Sequence, residues 1–253
     1  MSSSADIMAT SSFYTIIAGV GPGTGRAAAL RFSKTYPVVM LARRPESYED
    51  ALQDIQRAGG QAIGIVADVT DAKSLSRAFD TVGEALPNSK LAAAVYNVNS
   101  GFMMKPFLEL QLNEFQNSFG KTGDAFFNFA QKTLPLLRKA VKDSPHPPTL
   151  ITTGATASVK ASVGFSAFAA GWFAMRALNQ SLAREFGPQG VHVAHVVVDG
   201  LIDTPASKAW GKTGIPDSKI QPDAIAETYW HLHTQPRSAF TQEMDIRPFS
   251  ENF

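Results

Sequence analysis

Short apolar runs alternate along the chain with longer segments in which apolar residues recur at helical spacing. Strands are predicted at 13–18, 37–42, 62–66, 91–97, 149–153, 191–198 and 239–246. Helices are predicted at 25–35, 47–58, 72–86, 113–139, 165–186 and 222–233. Because strands joined through helices of about ten or more residues form βαβ units, the pattern predicts an α/β fold with a parallel sheet.

The segments between these elements indicate the domain organisation. No Gly/Ser linker and no repeat interrupts the series, and the most loop-like part, 144–148, lies between a helix and a strand of one sheet. We therefore expect one domain over 1–253, with a flexible tail at 1–12. The tail has neither the apolar core of a secretion signal nor the arginines of a transit peptide, which favours a cytoplasmic location.

Composition narrows the classes of function. The net charge is +1 and no long basic run occurs, which argues against nucleic acid as the main partner. No apolar run reaches the roughly 18 residues needed to span a bilayer, so no membrane partner is expected. The absence of cysteine excludes a thiolate nucleophile and a zinc–sulfur site. His192 with His195, and His231 with His233, lack helical i, i+4 spacing, so no metal is expected either.

A glycine-rich motif follows the first predicted strand. The sequence at 19–25 is Gly-Val-Gly-Pro-Gly-Thr-Gly, and a helix follows it directly. Glycines at 19, 23 and 25 let the backbone turn tightly and approach a pyrophosphate, while the helix N-terminus supplies free N–H groups. An ordinary turn is the alternative, but the strand before the motif and the helix after it favour a dinucleotide site.

Two further strand ends carry candidate cofactor residues. The second strand ends at Arg43 and Arg44, where an acidic residue would hold the ribose 2′-hydroxyl of NAD(H) and an arginine can pair with the 2′-phosphate of NADP(H). The arginines therefore favour NADP(H), although a solvated basic pair is the alternative interpretation. Asp68, followed by Val69, ends the third strand and can accept from the adenine amino group, begin the next helix, or do both.

Together these motifs resemble those of the short-chain dehydrogenase/reductase family over essentially the whole chain. The family's Asn-Asn-Ala-Gly element is only partly matched here, around Asn97, and its late Pro-Gly-x-x-x-Thr element lacks the proline. The resemblance implies a single-domain, Rossmann-type, doubly wound parallel sheet of about seven strands, with NADP(H) bound across the strand ends. It implies the cofactor-binding residues Gly19, Gly23, Thr24, Gly25, Arg43, Arg44, Asp68, Val69, Asn97, Asp199, Gly200, Ile202 and Thr204.

The family's chemistry uses an asparagine, a serine, a tyrosine and a lysine, and all four positions are substituted here. In the family, the tyrosine donates a proton to the alkoxide formed on hydride transfer, and the lysine lowers the tyrosine pKa and holds the ribose. The downstream helix pattern places Phe168 at the tyrosine position and Trp172 at the lysine position. The family's spacing places Ala155 at the serine position, or Thr156 after a shift of one residue, and Gly120 at the asparagine position.

The loss of the acid–base pair changes which reaction is feasible. General acid catalysis contributes about 10²–10⁴-fold, so carbonyl reduction by the family mechanism is not expected. An iminium ion needs no proton donor, because hydride neutralises a positive charge that is already present. An aromatic face such as that of Trp172 can stabilise the cation by roughly 0.5–2 kcal/mol. The alternative interpretation of Phe168 and Trp172 is core filling or an inactive site.

The candidate substrate pocket is rich in apolar residues. Phe102, Met103, Met104 and Phe165 lie on loops or helix starts at the carboxyl ends of strands, and Trp210 lies where the family has its substrate lid. Ligands of such sheets bind at this edge, so a bulky hydrophobic substrate is expected.

The combination resembles a divergent fungal branch of the family, the reductase/Diels–Alderases of malbrancheamide- and paraherquamide-type indole alkaloid biosynthesis. Its features are the missing tetrad, Trp172, and the segments at 153–158 and 165–171. The resemblance implies an NADP(H)-dependent enzyme of secondary metabolism that reduces a bulky cationic intermediate, guides an intramolecular [4+2] cyclisation, or does both.

Two alternatives stay open. A carbonyl reductase would need relocated acid–base groups, for which Lys105, Lys160, Asp199 and Asp203 lie on suitable loops, although each is also explained as a solvated surface charge. A nucleotide-binding protein without activity would bind cofactor with no turnover. The family also implies a homodimer or homotetramer packed through the helices that begin near 113 and 165, whose small residues equally fit packing within one chain.

Overall fold

Seven parallel strands form one sheet in a computed structural model that describes residues 11–99, 101–211 and 215–251. The strands are β1 (Phe13–Ala18), β2 (Val38–Ala42), β3 (Ala62–Val66), β4 (Lys90–Tyr96), β5 (Thr149–Ala155), β6 (His192–Val198) and β7 (Glu243–Ile246). Their order across the sheet is β3-β2-β1-β4-β5-β6-β7. The chain thus winds outwards in both directions from β1 and β4, which confirms the predicted doubly wound fold.

Helices cover both faces of this sheet. In the described ranges they are α1 (Thr24–Phe32), α2 (Glu49–Arg57), α3 (Ala72–Ala85), α4 (Leu112–Phe119), α5 (Ala125–Ala140), α6 (Ser166–Phe186) and α7 (Pro222–His233). Shorter 3-10 turns lie at Pro45–Ser47, Phe107–Glu109, Thr156–Ser158, Gly187–Gln189 and Pro205–Ser207. None of the described helices is both long enough and apolar enough to cross a membrane.

The core has two halves, one on each face of the sheet. Ile16 belongs to the half that packs against α3, α5 and α6, whereas its neighbour Ile17 belongs to the half that packs against α1, α2 and α7. Successive strand residues point to opposite faces. Because both faces are covered, the strands need no polar side, which explains their continuous apolar runs.

Two elements differ from the sequence prediction. The helix predicted at 113–139 is divided into α4 and α5 by a π-helical turn, Gly120–Asp124, in which two glycines weaken the regular helix. The strand predicted at 239–246 begins only at Glu243. Upstream of it, the Thr241 N–H donates to Gln235 Oε1 at 2.9 Å, so this N–H is not available to a strand ladder.

The predicted flexible tail falls mostly outside the described residues, since the structure describes only Ser11 and Ser12 of it. The Ser12 carbonyl accepts from the Lys90 N–H at 3.0 Å, and the Ser11 carbonyl accepts from the Ser89 hydroxyl at 2.5 Å. These two residues are therefore tied to the start of β4.

Candidate cofactor and substrate site

The glycine-rich turn is packed so closely that two of its glycines leave no room for a side chain. Gly19 has a φ of +84°, and a Cβ there would lie 2.2 Å from the Asn97 carbonyl oxygen. A Cβ at Gly25 would lie 2.5 Å from the Gly19 carbonyl oxygen. The Asn97 side-chain amide donates to that same Gly19 oxygen at 3.1 Å, so the turn is held against the end of β4. This is the switch point of the sheet, where ligands of such folds bind.

The N-terminus of α1 follows this turn. Its first turn carries no acidic residue and its N-cap, Gly23, supplies no side-chain hydrogen bond. The Thr24 hydroxyl is buried and has no partner among the described residues. Unpaired N–H groups and the positive end of the helix dipole suit an anion such as a pyrophosphate. A Cβ at Gly23 would lie 2.8 Å from the Thr204 Cγ2, so the loop after β6 closes over this turn.

The ends of β2 and β3 carry the charged candidates. Arg43 and Arg44 are exposed, and neither side chain has an ion pair or a hydrogen bond in the described part of the chain. Asp68 Oδ1 accepts from the Thr70 N–H at 3.0 Å and from the Thr70 hydroxyl at 2.7 Å, which favours the interpretation that Asp68 shapes the turn before α3. Val69 next to it is buried.

Three of the four residues predicted to replace the family's tetrad belong to, or pack against, one apolar cluster. Phe168 and Ala155 pack against the same core cluster that contains Trp172. The Phe168 and Trp172 ring centroids are 5.9 Å apart in an edge-to-face contact. Trp172 is only 6% exposed, and its Nε1 has no partner within the described residues. Because Trp172 is buried, it contributes only to the floor of the candidate substrate pocket. The accessible aromatic ring at this point is that of Phe168.

The fourth position, Gly120, opens the π-helical turn between α4 and α5. Such turns are frequent at functional sites because they displace the residues that follow. Thr122 in this turn is buried against Gly171 of α6, where a Cβ would lie 3.0 Å from the Thr122 Cβ. The small residue in α6 therefore allows close packing within this chain.

The predicted substrate residues form an aromatic group above this floor. The Phe102 ring lies 5.3 Å from that of Phe165 and 5.7 Å from that of Phe168, measured between centroids. The loop that carries Phe102 is held by a 2.8 Å hydrogen bond from the Lys105 N–H to the Gly164 carbonyl. Phe102 is 75% exposed, so the group presents an aromatic surface to a ligand.

Three further residues were predicted to line the substrate pocket: Met103, Met104 and Trp210. Met103 is half-buried and Met104 is exposed on the same loop as Phe102. Trp210 is also exposed and makes no ring contact with the aromatic group among the described residues. Residues 212–214, which follow it in the predicted lid, lie outside the described ranges.

The loop after β6 holds the last cofactor candidates. Gly200 has a φ of +152°, and a Cβ there would lie 2.7 Å from the Pro248 ring. Ile202 forms a parallel bridge with Ile220, and the Thr204 N–H donates to the Ser207 hydroxyl at 3.0 Å. These contacts fix the loop opposite the glycine-rich turn.

The candidates for relocated acid–base groups are mostly occupied elsewhere. Lys105 pairs with Glu114 at 2.7 Å, Asp203 accepts from Gln221 at 3.2 Å, and Lys160 is exposed. Asp199 is the exception, because it accepts from the hydroxyl of Thr156 at the open edge of the sheet. Its guanidinium partner, Arg247, was not predicted, because only the register of β7 brings that residue to the site.

A second polar network beneath the site was also missed. Arg176, one helical turn after Trp172, donates to both oxygens of Glu243 at 2.7 and 2.6 Å. Glu243 Oε2 lies 3.0 Å from His195 Nδ1, and the hydrogen bonds from Arg176 lower the pKa of Glu243. Burial lowers the pKa of His195, whose Nε2 has no partner in the described chain. The network anchors α6 to β6 and β7.

Of the other histidines, His192 and His233 lie in the core, whereas His146 is half-buried and His231 is exposed. His233 is fully buried between the Tyr36 hydroxyl, 3.1 Å from its Nε2, and the Thr149 hydroxyl, 3.0 Å from its Nδ1. Burial lowers the pKa of His233 to about 3. Across residues 11–99, 101–211 and 215–251, no group of three or more His, Cys, Asp or Glu side chains is arranged to hold a metal ion.

Taken together, the strand order and the glycine-rich turn against a helix N-terminus define a Rossmann-type nucleotide-binding protein. The family model described as short chain dehydrogenase matches residues 14–214. The chain therefore belongs to the short-chain dehydrogenase family, a family of oxidoreductases.

Three comparisons illustrate this relationship. The uncharacterized oxidoreductase YghA of Escherichia coli is 25% identical over 246 residues, which span 90% of this chain and 79% of that protein. A short-chain dehydrogenase structure from Rhodopseudomonas palustris is 28% identical with a TM-score of 0.74, covering 93% and 99% of the two chains. A metagenomic short-chain oxidoreductase solved in complex with NADP is 22% identical with a TM-score of 0.77, covering 95% and 99%, and shows the shared fold.

Proposed function

We propose that this protein is an NADP(H)-dependent reductase that transfers hydride to a bulky, hydrophobic iminium ion. One observation carries the proposal: Phe168, Trp172 and Ala155, which the sequence assigns to the family's proton donor and its partners, belong to one apolar cluster whose accessible aromatic surface is the Phe168 ring over the buried Trp172. That surface lies at the same sheet edge as the glycine-rich turn.

The residues around the glycine-rich turn fit a dinucleotide. The free N–H groups of α1 and the unpartnered Thr24 hydroxyl would hold the pyrophosphate. Arg43 and Arg44, which have no acidic partner among the described residues, would pair with the 2′-phosphate. The NADP complex of the metagenomic relative supports this choice of cofactor. When bound, NADPH would supply the hydride.

The lack of a proton donor on this surface indicates the class of substrate. Phe168 and Ala155 have no proton to give, and the Trp172 N–H is buried. A carbonyl reduced against these three residues would acquire negative charge with no proton from any of them, whereas hydride addition to an iminium carbon gives a neutral amine and the oxidised cofactor without a proton transfer. The faces of Phe102, Phe165 and Phe168 can each stabilise a nearby cation by roughly 0.5–2 kcal/mol.

A pair of matched substrates tests the proposal. The protein is mixed with NADPH and either 3,4-dihydroisoquinoline, which is protonated to its iminium ion, or 2-tetralone, which has the same bicyclic size, and NADPH absorbance is followed. We expect oxidation of NADPH with the iminium ion and none above background with the ketone. Equal turnover of both, or turnover of the ketone alone, would contradict the proposal and favour relocated acid–base groups.

Several finer expectations stay with this proposal. An intramolecular [4+2] cyclisation after reduction, and a place in alkaloid biosynthesis, rest on the resemblance described above. A homodimer or homotetramer packed through α5 and α6 likewise rests on the family resemblance. One domain over 1–253 and a cytoplasmic location stay predictions from the sequence.

A further inference from the structure

Three polar side chains lie in a row at the open edge of the site. Strands β5, β6 and β7 end in register, so Thr156, Asp199 and Arg247 follow one another across the sheet. Thr156 Oγ1 is 2.5 Å from Asp199 Oδ1, and an Arg247 guanidinium nitrogen is 3.2 Å from Asp199 Oδ2. Thr156 is exposed, and it directly follows Ala155, the substituted serine position. The row therefore forms the polar margin of the apolar surface.

The direction of the Thr156–Asp199 hydrogen bond determines whether this polar margin presents hydrogen-bond donors or acceptors to a ligand. A carboxylate only accepts, so the threonine O–H donates to Asp199. The lone pairs of Thr156 Oγ1 are then left for a ligand. Arg247, which also donates to both oxygens of Asp245, holds the carboxylate in this orientation. The pair thus offers a ligand hydrogen-bond acceptors and no donor.

The hydrogen-bond donors nearest to this pair are engaged by other groups. Arg247 donates to both oxygens of Asp245 and pairs with Asp199. The Ser158 hydroxyl is buried and accepts from the Ala155 N–H at 3.1 Å. The Phe168 ring has no polar atom, and the Trp172 N–H is buried. A carbonyl oxygen placed against Thr156 Oγ1 and Asp199 would face acceptors only, whereas an N–H group of a cation would find acceptors in both.

We infer that Thr156 and Asp199 recognise the N–H group of the substrate nitrogen, so that the site selects secondary, N–H-bearing iminium ions over fully alkylated ones. This inference rests on the proposed iminium reduction and adds the substitution state of the nitrogen. Because the hydrogen bond is charge-assisted but partly exposed, we expect it to favour the N–H-bearing ion about tenfold in affinity.

Binding of saturated amines tests the inference without any turnover. The probes are 1,2,3,4-tetrahydroisoquinoline, whose ammonium form carries N–H groups, and N,N-dimethyl-tetrahydroisoquinolinium, which carries none. Dissociation constants are measured by calorimetry with NADP⁺ present. For the unmodified protein we expect the N–H probe to bind about tenfold tighter. Thr156→Val and Asp199→Asn should remove most of that ratio, and Thr156→Ser should keep it.

Matched controls separate recognition from a general effect of the substitution. Thr81→Val and Asp80→Asn make the same chemical changes on the exposed face of α3, and both should leave the ratio unchanged. The inference is overturned if the unmodified protein binds the two probes equally or binds neither. It is also overturned if Thr156→Val keeps the full ratio while folded by circular dichroism. A ratio that depends on Thr156 in a protein that oxidises no NADPH with any iminium ion would support the recognition and refute the reduction.

Discussion

A single methyl group at Gly19 should disrupt the nucleotide turn. Gly19 has a φ of +84°, a conformation that costs other residues about 1–2 kcal/mol. The new Cβ would also lie 2.2 Å from the carbonyl oxygen and 2.6 Å from the carbonyl carbon of Asn97, which are backbone atoms that cannot rotate away. Forcing extra volume into a packed site costs about 1–3 kcal/mol, so Gly19→Ala should cost about 2–5 kcal/mol in total.

That cost has two measurable forms. If the substitution destabilises the whole fold, the free energy of unfolding in urea falls by about 2–5 kcal/mol. If the turn shifts locally, the affinity for NADPH falls instead, by about 30-fold or more for 2 kcal/mol. Fluorescence titration with NADPH and urea denaturation of the same samples together cover both forms.

Gly21→Ala is the matched control in the same turn, because a Cβ at Gly21 would meet no atom within 4 Å and its φ is not positive. We expect its unfolding free energy to change by less than about 0.5 kcal/mol. If Gly19→Ala matched Gly21→Ala in both measurements, the close approach of Gly19 to Asn97 would have no part in cofactor binding.

Three further predictions concern the cofactor preference, the tetrad positions and the pH dependence of stability. Replacing Arg43 and Arg44 together by alanine should weaken NADPH binding about tenfold in a fluorescence titration and leave NADH binding unchanged; an equal loss for both would exclude pairing with the 2′-phosphate. Phe168→Tyr with Trp172→Lys should introduce measurable ketone reduction by NADPH; none, in a folded variant that binds NADPH, would refute the positional assignment. The pKa of His233 is lowered from an ordinary value near 6.5 to about 3, so the unfolded chain binds the extra proton between these values and stability is lost as the pH falls. The unfolding free energy should drop by about 2 kcal/mol from pH 7 to pH 5 through His233 alone, and an unchanged pH slope in His233→Gln would contradict this.

The strands were the most predictable part of the fold. The runs Phe13–Ala18 and Ala62–Val66 match the structure at both ends. The first is buried in the middle of the sheet and is therefore apolar along its length. The π-helical turn at Gly120–Asp124 was not predicted, because α4 and α5 share one helical periodicity across it. Irregular backbone of this kind depends on packing against α6, which sequence periodicity does not report.

The candidate site was predictable to the extent that it depends on strand ends. Phe102, Phe165 and Phe168 come together as expected, because the carboxyl ends of parallel strands meet at one edge. Burial of Trp172 agrees with the core-filling alternative, and the sequence could not choose between the two interpretations, since helix position alone does not tell which face of α6 its ring covers. The approach of Arg247 to Asp199 depends on pairing between β6 and β7, more than forty residues apart in the chain.

Transfer of deuterium from NADPH labelled at C4 of the nicotinamide tests hydride transfer to an iminium ion most directly. The labelled cofactor is incubated with the protein and 3,4-dihydroisoquinoline, and the amine product is analysed by mass spectrometry and NMR. We predict one deuterium, bound to the former iminium carbon, and no labelled alcohol when 2-tetralone is supplied instead. An unlabelled amine, or no amine at all from protein that binds NADPH, would contradict reduction at this aromatic site.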